Sequence, residues 1–192
     1  MTASPALNTS EVGNSSKPNV GTAEQWHEKL SDGTSVLIRS IRENDLELER
    51  KFISRLSQES RRFRFLCQMS TPSETLLNQL THPDPKRDVA FVALIADGAE
   101  KTEIGVARFS LDTDGFACEC AVTVADEWHH RGLATLLMGH LIDVARRRGI
   151  RRMYSFDTAD NTQMYKLADD LGFSRKTDPN DNHQVVHTLE LV

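Results

Sequence analysis

The hydrophobic positions of this chain change their spacing repeatedly, and each change marks an expected element. Apolar residues three or four positions apart predict helices over 45–56, 58–65, 72–80, 132–148 and 161–171. Alternating or continuous apolar runs bounded by turn residues predict strands over 35–41, 88–96, 103–111, 116–125, 153–158, 173–175 and 185–191. Asp-Gly turns separate the three strands between 88 and 125, so we expect these strands to form an antiparallel meander.

The order of these elements indicates the fold class. One strand and a helical region precede the meander, and helix, strand, helix and final strands follow it. This order predicts an α/β protein of the mixed α+β kind, with helices packed on one central sheet. Residues 1–25 are rich in Ser, Thr, Asn, Pro and Gly and have no apolar period, which predicts a disordered leader before a single domain over 26–192.

Composition and charge narrow the function classes. The net charge is −5, so no general basic field favours nucleic acid. No apolar run approaches the ~20 residues of a membrane span, and the N-terminus lacks a signal-peptide pattern. Three cysteines are too few and odd in number for a disulfide framework. These features predict a cytoplasmic protein, monomeric or homodimeric, with no membrane or nucleic-acid partner.

The sharpest motif is a turn between the strand that ends near residue 125 and the long helix. A helix N-terminus has unpaired amide donors and a partial positive charge, and small residues let a phosphate approach those donors. The turn can therefore hold a pyrophosphate, but an ordinary glycine-containing helix start would look the same. The candidate binding residues are His129, Arg131, Gly132, Leu133, Ala134 and Thr135.

The wider context of this turn resembles the coenzyme-binding half of GNAT-superfamily N-acetyltransferases. Their signature is Gln or Arg, two residues, Gly, any residue, then Gly or Ala, and residues 131–134 (Arg-Gly-Leu-Ala) match its end. A strand follows, then Asn161, then a helix that closes in Leu171-Gly172-Phe173. The chain departs from the signature at its first position, which is His129. The resemblance covers roughly 35–191 and implies acetyl-CoA as co-substrate.

A narrower resemblance links the chain to the acetyltransferase domain of bacterial protein lysine acetyltransferases. It rests on the stretches RSIRENDLELERKFISRLSQESRRFRFL, DVAFVALI, GVARFS and NTQMYKLADDLGF. It implies a mostly antiparallel sheet with one splayed parallel strand pair, and lysine side chains as acceptors. Many members of that family carry a fused acyl-CoA-synthetase-like module, and 192 residues cannot hold one.

Glu119 is the candidate general base. Strand alternation puts it on the sheet face opposite Cys118 and Cys120, among small residues. A carboxylate at such a place is either a solvent-facing residue or a group with a chemical task. The resemblance favours the second interpretation, because it implies a general-base Glu on this strand.

The resemblance also implies how the rest of acetyl-CoA binds. The backbone of Val122, Thr123 and Val124 would pair with the pantetheine arm like an added strand. Asn161 would contact the same arm, although a simple helix N-cap is an alternative role. The family's usual general-acid Tyr falls at Ala168, and Tyr165 lies one turn earlier, so we expect a mechanism without an obligatory protein acid.

Other chemistries have weaker support in the sequence. Cys118 and Cys120 near His129 and His130 lack a second ligand pair, so no metal is expected. Arginines 61, 62 and 64 alternate with two phenylalanines and predict an amphipathic helical turn. Three functions remain open: acetylation of protein lysine, acetylation of a small amine, or binding of acetyl-CoA by a degenerate sensor module.

Overall fold

The structure, a computed structural model, describes residues 24–65, 71–98, 100–178 and 181–192. Its strands are β1 (Gln25–Lys29), β2 (Ser35–Ser40), β3 (Asp88–Asp97), β4 (Glu100–Leu111), β5 (Ala117–Val124), β6 (Arg152–Thr158), β7 (Ser174–Asp178) and β8 (Asp181–Glu190). Its helices are α1 (Leu46–Arg55), α2 (Gln58–Phe65), α3 (Glu74–Thr81), α4 (Leu133–Arg147) and α5 (Thr162–Asp170). The strands form one sheet in the order β1-β2-β3-β4-β5-β6-β8-β7.

Two hydrophobic cores lie on opposite faces of this sheet. Alternation along β3 sends Phe91 and Ala93 into the core beneath α4, and sends Val92 and Leu94 into the core beneath α1 and α3. Helix α4 buries a full apolar stripe that includes Leu137, as its 3.6-residue period requires. The predicted mixed α/β fold on one central sheet is therefore confirmed.

All strand pairs are antiparallel except β5 and β6. These two pair in parallel only at the start, from Ala117 with Arg152 to Glu119 with Tyr154. Beyond Glu119, β5 continues beside β4 up to Val124, and β6 continues beside β8. The sheet therefore opens into two halves after Glu119, and the inner edges of the two halves lose their shared ladder.

A β-bulge and a glycine position α4 at this opening. The register of β3 against β4 shifts so that Ile104 is the extra residue, and the carbonyl of Ile104 accepts a hydrogen bond from the amide of Ala125, just after β5. The next residue, Gly105, lies against α4. A methyl group there would sit 3.1 Å from Leu137 Cδ1 and 3.2 Å from the Thr123 carbonyl oxygen. Only glycine lets the helix approach the strand this closely.

Most elements lie where the hydrophobic pattern predicts them, and β1 is the exception. This edge strand alternates exposed and half-buried residues, and most of its side chains are polar. Its place is fixed by Trp26, which stacks on His140 of α4 at a ring distance of 4.0 Å and meets Phe91 edge-on at 5.0 Å. Gln25, the last residue assigned to the expected leader, is the first residue of β1. Residues 1–23 lie outside the described part, so a disordered leader there stays a prediction.

The packing at Gly105 gives a stability prediction. We expect Gly105→Ala to lower the free energy of unfolding by about 1–3 kcal/mol, because the added methyl group overpacks against a backbone oxygen that cannot move freely. Gly139→Ala, inside α4, is the matched control. No atom lies within 4 Å of a methyl group there, so alanine should stabilise the helix by up to ~1 kcal/mol. Urea unfolding of both variants measures the two effects, and equal stabilities would contradict the packing argument.

Candidate active site

A cleft of about 620 Å³ occupies the opening between β5 and β6. One wall is the second half of β5, the other is the end of β6 with the start of α5, and the first turn of α4 closes one end. Nine of the predicted binding residues line this cleft: Val122, Thr123, Val124, His129, Gly132, Leu133, Ala134, Thr135 and Asn161. Glu119 lines it as well.

The first turn of α4 presents backbone donors to the cleft. Gly132 caps the helix with φ of 82°, a left-handed conformation that strains other residues. The first helical hydrogen bond runs from the amide of Leu136 to the carbonyl of Gly132. The amides of Leu133, Ala134 and Thr135 precede that bond and have no partner within the helix. This geometry suits an anionic group such as a pyrophosphate.

The side chains of His129 and Arg131 already have protein partners. His129 Nε2 lies 3.0 Å from the carbonyl oxygen of Val124, at the end of β5. Arg131 donates to Asp32 at 2.7 Å, and its guanidinium stacks 4.5 Å from the Trp128 ring. Arg131 is absent from the residues that line the cleft. A direct charge from Arg131 to a phosphate stays a prediction, and the structure gives its side chain a role in bracing the turn.

Glu119 lies at the point where β5 leaves β6. Its side chain is exposed, and it forms no hydrogen bond or ion pair with another described residue. Its neighbours in sequence, Cys118 and Cys120, point into the core beneath α4. The predicted alternation along this strand is therefore correct, and a free carboxylate faces the cleft.

A second, smaller cleft of about 290 Å³ adjoins the first. It lies on the side of α2, α3 and β4, and its polar lining residues include Gln79, Asp88, Arg108 and Ser110. Arg64, Glu119, Cys120 and Ala121 line both clefts. Glu119 therefore faces two spaces, one large enough for a coenzyme arm and one suited to a smaller group.

Two buried hydroxyl groups on facing walls of the main cleft lack protein partners. Thr123 Oγ1 on β5 and Ser155 Oγ on β6 are shielded from solvent, and neither forms a hydrogen bond within the described residues. Leaving a buried polar group unpaired costs about 1–3 kcal/mol. A ligand with amide or carbonyl groups, such as a pantetheine arm, would satisfy both hydroxyls. The cleft therefore fits acetyl-CoA in its chemistry as well as its shape.

Asn161 serves as the N-cap of α5. Its Oδ1 accepts from the amide of Met164 at 3.2 Å, and its Nδ2 donates to Asp157 Oδ1 at 2.9 Å. Asp157 also accepts from the Thr158 amide at 2.9 Å. Burial raises the pKa of the Asp157 carboxyl to about 6, although both hydrogen bonds oppose that rise. The capping role considered for Asn161 is therefore present, and its contact with a ligand stays a prediction.

Tyr165 does not reach the cleft. Its hydroxyl donates to the carbonyl of Ala159 at 2.5 Å, and the Arg175 guanidinium stacks 4.2 Å from its ring. Ala168, at the position of the family's usual general acid, is buried in the core. Neither residue provides a proton donor to the cleft.

Helix α2 is attached to both walls of the main cleft. At its start, Ser57 and Ser60 donate to the Asp126 carboxylate through their hydroxyls at 2.8 and 2.7 Å. Burial opposes ionisation of Asp126, but these bonds and the Ser57 amide hold its pKa below the ordinary value. Farther along, Arg62 Nη2 contacts Asp160 Oδ2 at 2.7 Å, in the turn between β6 and α5. We refer to the Arg62–Asp160 ion pair as the strap.

The cysteines of β5 are packing residues in this structure. Cys118 and Cys120 are buried and free, and burial raises the pKa of the Cys118 thiol to about 12. A thiol with so high a pKa is a poor nucleophile and metal ligand.

Within the described ranges, no group of three His, Cys, Asp or Glu side chains could hold a metal ion. No helix in the same ranges is long and apolar enough to cross a membrane.

The sequence of this chain matches the profile of a known protein family. The profile of the acetyltransferase (GNAT) family matches residues 53–173. The chain belongs to that family. The predicted resemblance and the expectation of an acetyltransferase are thereby confirmed. The chain is 46% identical to Acetyltransferase PA5475 of Pseudomonas aeruginosa, over 95% of this chain and 100% of that protein.

Two further relatives place the chain within the GNAT family. Acetyltransferase Pat of Mycolicibacterium smegmatis is 34% identical over 53% of this chain and 30% of that protein. The crystal structure of the GNAT domain of S. lividans PAT superposes with a TM-score of 0.78 and 27% identity, over 86% of this chain and 96% of that domain. RimL in complex with coenzyme A shares the fold, with a TM-score of 0.66 and 13% identity.

Three residues of this GNAT site are absent from the residues predicted from sequence. Ser155 and Asp157 alternate with apolar residues in a strand, which is the usual pattern of buried strand positions. Arg64 looks like one of several cations on an amphipathic helix. All three line the main cleft, and they come together there only through contacts between distant elements, so the signal for these residues is spatial.

The raised pKa of Asp157 predicts a pH dependence of stability. The folded state binds the proton up to pH ~6 and the unfolded state only up to ~3.9, so stability should fall as pH rises through this window. Asp157→Asn keeps an oxygen for both hydrogen bonds and removes the titration. Its unfolding free energy relative to the original chain should rise by roughly 2–3 kcal/mol between pH 4 and 7. Parallel pH profiles in urea unfolding would contradict the assignment.

Proposed function

We propose that this GNAT acetyltransferase moves the acetyl group of acetyl-CoA directly to a lysine side-chain amine of a protein, with Glu119 as general base. The observation that carries the proposal is the position of Glu119. It is a free carboxylate at the point where the sheet opens, and it faces both the coenzyme-sized cleft and the smaller one. An amine in the smaller cleft and a thioester in the larger one would meet beside it.

Acetyl-CoA would bind along the main cleft. Its pyrophosphate would accept hydrogen bonds from the first amides of α4, from Leu133 to Thr135. Its pantetheine arm would pair with the free edge of β5 from Ala121 to Val124, where β6 no longer supplies a partner. The hydroxyls of Thr123 and Ser155 would complete the contacts of the arm.

The reaction needs a neutral amine. A free lysine with a pKa of ~10.4 is neutral in only about 4 molecules in 10,000 at pH 7, so a base beside it raises the reactive fraction. Glu119 takes the proton as the amine nitrogen attacks the thioester carbon. The C–N bond forms, the C–S bond breaks, and the thiolate leaves. No protein acid is required, because a thiolate with a pKa near 8.5 departs readily and takes a proton from solvent.

The choice of protein lysine rests on the sequence resemblance to bacterial protein lysine acetyltransferases, and the similarity to Acetyltransferase Pat and to the GNAT domain of S. lividans PAT supports an acetyltransferase. A small amine is the second candidate, and the volume of the smaller cleft, about 290 Å³, favours it. Thiol release from acetyl-CoA, measured against a panel of proteins and small amines, separates the two. Acetyl-CoA binding without any thiol release would point to a sensor module instead.

The start of α4 can be tested by adding a negative charge. We expect Gly132→Glu to weaken acetyl-CoA binding at least tenfold in calorimetry, because the carboxylate repels the pyrophosphate and the side chain strains the left-handed cap. Gly115→Glu is the matched control. It has φ of 75° and open space around it, as Gly132 has, but it lies in the β4–β5 turn away from the cleft. Unchanged affinity in a folded Gly132→Glu variant would refute this binding site.

The role of Glu119 can be tested by removing its basicity. Glu119→Gln keeps size and hydrogen bonding, so acetyl-CoA binding should persist while kcat falls about 10²-fold or more at pH 7. The deficit should shrink toward pH 9, because more of the amine is already neutral. Wild-type kcat from pH 7 to 9 would remove Glu119 from the mechanism, and a change confined to the KM of the amine would make it an orienting residue. Asp126 is a poor substitute, since three hydrogen bonds from Ser57 and Ser60 occupy its carboxylate.

A further inference from the structure

Arg64 carries an unpaired cation at the junction of the two clefts. It is half-buried near the end of α2, and it forms no hydrogen bond or ion pair with another described residue. Its guanidinium only stacks on the neighbouring Phe65 ring, 5.1 Å from the centroid. Burial, and then the nearby Arg108 charge, lower its pKa to about 10, so it stays charged at neutral pH.

Two other arginines of this interior each contact a carboxylate, although the Nε and Nη2 atoms of Arg108 lack a hydrogen-bond partner within the described residues. Arg39 makes two hydrogen bonds to Asp45, at 2.6 and 2.7 Å. Arg108 lies 3.6 Å from Glu49 and donates to the Leu80 carbonyl at 3.3 Å. Among the described residues, Arg64 has no carboxylate within ion-pair distance, and a partly buried cation without one gains from a ligand that supplies a negative charge.

Among the charged residues that line the smaller cleft, Arg64 and Glu119 form no ion pair or hydrogen bond with another described residue. Asp88 is occupied, because it accepts from the Ser110 hydroxyl at 2.7 Å and from the Asp84 amide at 3.0 Å. The Arg108 charge is balanced by Glu49. The charges of Glu49 and Glu119 oppose the fall in the pKa of Arg64, but no ion pair joins Arg64 to Glu119 in this small space.

We propose that the acceptor carries a carboxylate close to its reacting amine, and that Arg64 binds this carboxylate while the amine faces Glu119. The planar guanidinium fork matches a carboxylate in two hydrogen bonds, which gives both affinity and orientation. The smaller cleft has a volume of about 290 Å³, close to the lower limit of ~300 Å³ for typical ligand sites. It therefore has room for one amine with its neighbouring carboxylate. The carboxylate belongs to a free amino acid, to a chain terminus, or to an acidic side chain beside a lysine.

This inference rests on the proposed function, since it gives Glu119 the amine. Two matched probe pairs test it on the full chain. Nα-acetyl-lysine and Nα-acetyl-lysine amide differ only in a terminal carboxylate, and the peptides acetyl-Glu-Lys-amide and acetyl-Gln-Lys-amide differ only in an acidic side chain. We expect kcat/KM to favour the carboxylate member of at least one pair by ten- to a hundredfold, mainly through KM. A response of the first pair indicates a main-chain carboxylate, and a response of the second pair indicates an acidic side chain beside the lysine.

Variants assign that preference to Arg64. Arg64→Gln should abolish it by raising KM for the carboxylate probe alone, and Arg64→Lys should keep part of it, because the charge remains without the fork. Arg146→Gln, at an exposed arginine of α4 that lines neither cleft, is the control and should retain the full ratio. Circular dichroism and thermal unfolding verify that all three variants fold.

Several outcomes would overturn the proposal. One is an equal kcat/KM for the two members of both pairs with the original chain. Another is an Arg64→Gln variant that still prefers the carboxylate member.

A loss of discrimination between succinyl-CoA and acetyl-CoA in Arg64→Gln, with acceptor preference intact, would assign Arg64 to the acyl group instead. If lysine probes are not turned over, calorimetry on the CoA-loaded protein replaces kinetics. Equal or undetectable binding of the paired probes would then refute it. The base hypothesis fails if Glu119→Gln leaves kcat unchanged for both members of a pair, whereas the Arg64 hypothesis depends only on the ratio between the members, so the two ideas fail separately.

Discussion

The whole site depends on where β5 stops pairing with β6. A continuous sheet satisfies its backbone groups along both edges of each inner strand, and here that continuity ends after three residue pairs. Each strand keeps its outer partner, β4 for β5 and β8 for β6, so the sheet holds together while a gap opens between its halves. The gap leaves one edge of β5 without a neighbouring strand, and the first turn of α4 borders it. Glu119 lies at the end of the gap where β5 and β6 still pair. The bulge at Ile104 and the close contact of α4 with Gly105 fix β5 on its side of the gap.

The two faces of the sheet contribute different chemistry. The α4 face is apolar beneath the helix, and it supplies the helix terminus and small side chains. The face beneath α1, α2 and α3 contains buried charges, of which the Arg39–Asp45 pair is the best satisfied. Burial, and then the neighbouring Glu49 carboxylate, raise the pKa of Glu103 well above its ordinary value, which favours the neutral acid. Such groups cost stability, and they lie on the side from which an acceptor would approach Glu119.

The sequence predicted the elements and the turn well because both depend on local pattern. The period of α4 and the alternation around Glu119 are visible in the chain itself, and so is the glycine that caps α4. The side-chain partners were not predictable, because they connect distant residues. The turn that contains Arg131 is braced by Asp32 from the β1–β2 connection, 99 positions away. Strand β1 was missed because most of its residues are polar. Its place in the sheet is fixed by the stacking of Trp26 on His140, which the local pattern does not show.

The strap also bears on how a coenzyme would enter and leave. Arg62 and Asp160 are substantially exposed, and an exposed ion pair of this kind contributes little to stability. Salt at physiological strength screens it over a Debye length of ~8 Å. The link between α2 and the start of α5 is therefore a weak one. Because Phe63 and Asn161, next to the two partners in the chain, line the main cleft, rising ionic strength would loosen this side of the cleft, and it would also weaken the hold on a charged coenzyme.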